Sequence, residues 1–208
     1  MRITICHLSD IHFATCENTI LEKQKKLCDA ILQDALKKDV IIFIVSGDIA
    51  QSGQEHEYEI AYNFFTEIQE YLEKKKELKV LFFFAPGNHD CDFTNSNLRD
   101  QIISIILEDK NKISTEFIDI CCNVQKEFFE FNERIENEDT ETLFDDTLLK
   151  IKKINIDSEK LYFVLINTAW ISMINEKPGA IYFLIDKYIE KIKKYKDGTI
   201  FTVFHHPS

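Results

Sequence analysis

Apolar residues are distributed along this chain in two patterns. Short unbroken runs at 3–8, 40–45, 80–85, 161–166 and 199–204 have strand length, and a run apolar throughout suits a strand covered on both faces. Between them the period changes. Ile20, Leu21, Leu27, Ile31, Leu32 and Leu36 recur at three- and four-residue spacing with lysines interposed, which predicts an amphipathic helix over about 18–38. Tyr58, Ala61, Phe64, Phe65, Ile68 and Leu72 predict a second over about 54–76, and Ile181, Leu184, Ile185, Tyr188, Ile189 and Ile192 another between Gly179 and Tyr195. Strands alternating with helices describe an α/β sheet, with 3–8 read as a first central strand.

The stretch 94–150 breaks that rhythm. Its stripes, Ile102, Ile103, Ile106 and Leu107, then Val124, Phe128, Phe129 and Phe131, are helical, and it carries six basic against fourteen acidic residues. It holds most of the net charge of −11. The expectation is an acidic helical insertion inside a single domain spanning 1–208, acting as a lid or specificity element, or else covering a sheet edge or a partner. Such a balance repels polyanions and argues against a generic nucleic-acid surface, although bound divalent cations would reverse the sign locally. The six cysteines show no CxxC spacing, and Cys121 and Cys122 are adjacent, so reduced thiols in the cytoplasm are expected. No run approaches the roughly 20 apolar residues of a membrane span, so no membrane partner is expected.

Chemistry gathers where the apolar runs stop. The first is followed by Asp10 and His12, the second by Gly47-Asp48, the third by Pro86-Gly87-Asn88-His89-Asp90, and the last by His205-His206-Pro207. In an open α/β sheet the functional crevice lies at the carboxyl ends of the strands. Carboxylate, imidazole and amide oxygen together suit Mn²⁺, Fe or Zn²⁺ better than Ca²⁺. Asp48, with two oxygens, can hold two ions together, and two cations about 3.5–4 Å apart can activate a water and clamp a phosphoryl group. Strand alternation turns His206 away from such ions. His7 is expected to pack beside the core, and His56 to open a helix.

Asp10-Ile11-His12, Gly47-Asp48, Gly87-Asn88-His89-Asp90 and His205-x-Pro207, in this order, resemble the calcineurin-like metallophosphoesterase superfamily. Gly47-Asp48-Ile49-Ala50-Gln51-Ser52-Gly53, followed by Glu57-Tyr58 and the later His-His-Pro, is similar to the branch that includes class III cyclic nucleotide phosphodiesterases. The resemblance implies a layered α-β-β-α sandwich and a phosphoesterase acting on phosphate mono- or diesters through two divalent transition-metal ions (Mn²⁺, Fe²⁺/Fe³⁺ or Zn²⁺). Asp10 and His12 would hold the first ion, Asp48 would bridge, and Asn88 and His205 would hold the second. His89 would act as general acid, with Asp90 orienting its ring. The superfamily completes its site with a Gly-His-x-His motif that this sequence lacks. The expectation is therefore the N-terminal portion of a longer protein, with the sandwich incomplete at its C-terminal end and a further domain or partner chain after Ser208. The rivals are a noncatalytic scaffold that docks a partner and a nuclease of the same superfamily, for which nucleic acid would be substrate only.

Overall fold

The computed structural model of the protein describes residues 2–16, 18–37, 39–94, 96–135, 139–174 and 181–206. Pro207 and the opening of the 179–195 segment lie outside the described residues. Two sheets form the centre. The first is parallel, in the order β1 (Ile3–Leu8), β2 (Val40–Ser46), β3 (Lys79–Ala85). The second runs β4 (Glu141–Asp145), β5 (Leu149–Ile156), β6 (Glu159–Ile166), β7 (Thr199–Val203), antiparallel except that β7 lies parallel to β6.

Side-chain alternation sorts the apolar residues into layers. On β3, Val80, Phe82 and Phe84 face α1 (Thr19–Asp34), α2 (Glu55–Lys76) and α5 (Lys126–Arg134), where they meet Phe64, Phe65, Phe128 and Phe131. Leu81, Phe83 and Ala85 face the second sheet and meet Ile154, Phe163 and Leu165. The Phe83 and Phe163 rings stack with centroids 3.8 Å apart, binding sheet to sheet. On the far side of the second sheet, α3 (Asn97–Glu108), α4 (Thr115–Cys122) and α6 (Ile185–Ile192) cover Leu149, Ile151, Val164 and Trp170. The result is the α-β-β-α sandwich, with β2 buried along its whole length.

Three expectations change. The run 3–8 is an edge strand, not a central one, because among the described residues β1 pairs only with β2 and leaves Ile5 41% exposed. The 179–195 helix is shorter in its described part, forming at Ile185–Ile192 after a non-helical 181–184. The stretch 94–150 is not helical throughout. Its helices divide between the two outer layers, and its last residues are β4 and the start of β5. Leu149, Ile151, Ile154 and Ile156 carry the strand signal there, partly masked by the Lys152-Lys153 pair.

Arg99 secures the outer layer of the second sheet from inside. Its side chain is buried and donates from Nε to Cys121 O (2.8 Å), from Nη1 to Ser172 O (2.7 Å) and from Nη2 to Trp170 O (3.0 Å). One planar guanidinium thus ties α3 to the end of α4 and to the turn after β6, satisfying three carbonyls that burial would otherwise leave costly. All six cysteines are free thiols, and among the described residues no helix is long and apolar enough to cross a membrane.

Candidate active site

The loops that leave β1 and β2 are joined by backbone hydrogen bonds before any side chain contributes. Ile11 N and His12 N both donate to Asp48 O, at 2.9 and 3.0 Å, and Phe13 N donates to Ile49 O at 2.8 Å. Asp10, His12 and Asp48 each take a left-handed backbone, with φ of 54°, 55° and 54°. That conformation is unfavourable for residues with a side chain, and it is concentrated here at the positions that bear the chemistry.

Asp48 is the hub. Its carboxylate is buried, Oδ1 accepting from His89 N at 2.9 Å and Oδ2 lying 3.3 Å from His205 Nε2 and 3.8 Å from His12 Nε2. Burial raises its pKa, but the hydrogen bonds from His205 and from the His89 amide outweigh that and hold the carboxyl below its usual range. Two groups of possible ligand atoms share it. Those of His12, Asp48 and His89 lie within 4.8 Å of one another, as do those of Asp10, Asp48 and His205. The trios pair Asp10 with His205, whereas the resemblance pairs Asp10 with His12.

The ring nitrogens facing away from the hub are consistent with metal ligation. His205 Nδ1 donates to Ser46 O at 2.8 Å and His89 Nδ1 to Gln51 O at 2.7 Å, so both present Nε2 to the site. A ligating histidine is usually oriented in this way, by a carbonyl on its second nitrogen. His12 Nδ1 is one of two buried side-chain atoms that lack a hydrogen-bond partner among the described residues. An unpartnered buried nitrogen on a histidine whose Nε2 stands 3.8 Å from the Asp48 carboxylate fits a site that a cation completes.

Two expected roles are replaced by others. Asp90 does not orient the His89 ring; that ring is held by the Gln51 carbonyl. The Asp90 carboxylate is wholly buried and accepts from Ile49 N (3.0 Å), Ala50 N (2.9 Å), Tyr58 OH (2.9 Å) and Gly87 N (2.8 Å). It fastens the β2 and β3 loops to α2. His206 does not turn away either, because its Nε2 lies 3.2 Å from Asn88 Oδ1 and its Nδ1 3.0 Å from Thr168 Oγ1. β7 ends at Val203, so strand alternation no longer governs residue 206. His7 is exposed rather than packed beside the core, with Nε2 2.6 Å from Ser46 Oγ, and His56 Nε2 lies 2.6 Å from Thr15 Oγ1.

The Glu57-Tyr58 pair of the sequence resolves into two supports. Glu57 receives Ser52 N, Ser52 Oγ and Gln54 N and so closes the loop onto the start of α2, while Tyr58 reaches Asp90. Gly87 is needed for close approach, since a Cβ there would stand 2.6 Å from Asp48 N. Gly87→Ala is expected to push Asp48 and the Asn88 turn apart and lower kcat/KM by on the order of 100-fold while the protein stays folded. Steady-state rates beside a circular dichroism spectrum check this, and an unchanged rate would contradict it.

Titration of the two adjacent histidines runs in opposite directions. Burial opposes protonation of His205, but the Asp48 carboxylate and the Ser46 carbonyl overcome it and push the pKa to about 9. Burial and the neighbouring His205 push His206 down to about 4. The His205 contribution to stability is complete below its unfolded value of about 6.5 and is lost as pH rises toward 9. That of His206 is complete above about 6.5 and is lost as pH falls toward 4. For the metal-free protein this pair therefore gives greatest stability near pH 6.5, readable as denaturation midpoints across pH. Midpoints that climb steadily from pH 6.5 to 9 would contradict the His205 assignment.

The family model for calcineurin-like phosphoesterases matches residues 3–208. No curated protein matches the chain.

Proposed function

The chain belongs to the calcineurin-like phosphoesterase family, and from that premise we propose that it hydrolyses phosphate mono- or diesters at a dinuclear centre whose bridging ligand is Asp48. The observation that carries this reading is the sharing of one buried carboxylate by two trios of possible ligand atoms. Asp10 and His205 serve one side and His12 the other, with Asn88 beside His206 at the rim. When bound, two divalent transition-metal ions, Mn²⁺, Fe or Zn²⁺, supply a polarised water and a clamp on the phosphoryl oxygens.

The protein groups do the rest. Asp48 stays ionised through the donors around it, with Oδ1 held by the His89 amide and Oδ2 facing both His205 and His12. His89, with Nδ1 tied to Gln51 O, holds Nε2 toward the reacting group, where a proton it carries can pass to the leaving oxygen. Asn88, adjacent in the same turn, offers an amide oxygen. Six free thiols accord with a reducing compartment, and we place the protein in the cytoplasm.

The test pairs elemental analysis with Mn²⁺-dependent hydrolysis of bis(4-nitrophenyl) phosphate. Stoichiometric transition metal and metal-dependent turnover are expected. Metal-free protein without turnover would favour a noncatalytic scaffold, and cleavage of DNA in preference to the aryl diester would favour the nuclease.

A further inference from the structure

Beside His89 the surface opens into a cleft of about 580 Å³, lined by the polar Gln51, Ser52 and Gln54 and by the apolar Phe93, Met173 and Ile174. A cleft of this size takes a small organic ligand. Met173 is 37% and Ile174 72% exposed, an unusual placement for large apolar side chains beside a carboxylate–imidazole cluster. No lysine or arginine lines the cleft among the described residues, and Asp92 adds a carboxylate to its wall. A polynucleotide needs a track of cations for its phosphates, and this opening has none.

The apolar wall is held in place from behind. The Arg99 guanidinium lies 5.3 Å from the centre of the Phe93 ring. The same group donates to Trp170 O and Ser172 O, the carbonyls that lead directly into Met173. Phe93 and the 170–173 segment, distant in sequence, are thus fixed against one buried cation. A lining that combines apolar side chains with neutral amides is complementary to a flat, uncharged ring that can both stack and hydrogen-bond.

We propose that this cleft binds the organic part of the ester, and that the preferred substrates are small phosphate esters bearing an uncharged aromatic or heteroaromatic group. The assignment rests on the phosphoesterase reading, since it supposes that the phosphate occupies the Asp48 hub. Phe93, Met173 and Ile174 are then specificity residues, and Arg99 is a positioning residue that never meets substrate.

Calorimetric titration of the Mn²⁺-supplemented protein with phenyl phosphate, 4-carboxyphenyl phosphate and methyl phosphate tests this. Phenyl phosphate is expected to bind about tenfold more tightly than methyl phosphate, from burial and stacking of the ring. The carboxylated ring is expected to lose that advantage. Ile174→Ser, at an exposed position, and Phe93→Ala should each abolish the preference for phenyl over methyl phosphate. Equal affinity for phenyl and methyl phosphate in the unaltered protein would overturn the proposal, as would tight binding of the carboxylated ring or a preference that survives both substitutions. Binding of none of the three would overturn this proposal, while turnover of bis(4-nitrophenyl) phosphate decides the phosphoesterase reading separately.

Discussion

Asp48→Ala is expected to lower metal-dependent kcat/KM by on the order of a thousandfold, because charge stabilisation by bound cations is worth several kcal/mol and this carboxylate is common to both ligand trios. The loss should appear in metal content as well as in rate. In the proposed dinuclear centre, removing one carboxylate would take the shared ligand from both ions at once, so bound transition metal should fall toward zero rather than to half. The fold should survive, since the loop keeps its backbone bonds from Ile11 and His12 to the Asp48 carbonyl, which the substitution does not touch. Asp48→Asn separates shape from charge: it can keep an oxygen near the His89 amide but removes the negative charge and one of the two oxygen ligands. Full activity in Asp48→Ala would remove the basis for the proposed function.

Asp90→Ala is expected to act on stability, by on the order of 4 kcal/mol. The substitution leaves three backbone amides, Ile49, Ala50 and Gly87, and the Tyr58 hydroxyl without their acceptor. Each buried donor deprived of a partner costs about 1–3 kcal/mol. Burial raises the Asp90 pKa, in opposition to the donors around it, so the site itself is held at an electrostatic cost that the loop bonds offset. Tyr58→Phe, which removes one donor and strands none, should cost about 1 kcal/mol. Urea denaturation of the two variants gives the comparison. A cost for Asp90→Ala no larger than that for Tyr58→Phe would show that the carboxylate is not the fastening point of these loops.

These two expectations locate what the sequence could convey. The strand runs and the polar residues behind them were legible because each is a local signal: β2 is apolar along its length, and Asp10, His12, Asp48, Asn88, His89 and His205 each follow a run within a few residues. The partition of roles was not, because it depends on contacts distant in the chain. Nothing next to Asp90 indicates that its four donors come from residues 49, 50, 58 and 87, and adjacency to His89 suggests a partnership that the geometry gives to Gln51. The edge position of β1 was legible in the alternation of Ile5 and His7 against Cys6 and Leu8, but the apolar character of the run obscured it. β4 and β5 were hidden by their charge. Lysines on an antiparallel strand can sit beside a covered face, so a mixed composition there does not exclude a sheet.

Among the described residues β7 is the last strand of the second sheet and is hydrogen-bonded to β6, yet His205, just beyond it, reaches across to Ser46 and Asp48 of the first sheet. A short border strand with one neighbour should be among the first segments to open transiently, well below the free energy of global unfolding. A cation held by His205 and Asp48 would have to leave whenever that segment opens. Its affinity is therefore set partly by how rarely 199–203 detaches. Amide exchange in this strand should slow when Mn²⁺ is added while exchange in the fully covered β2 stays the same, so the ion's residence time can be read from the breathing of a strand that does not itself ligate it.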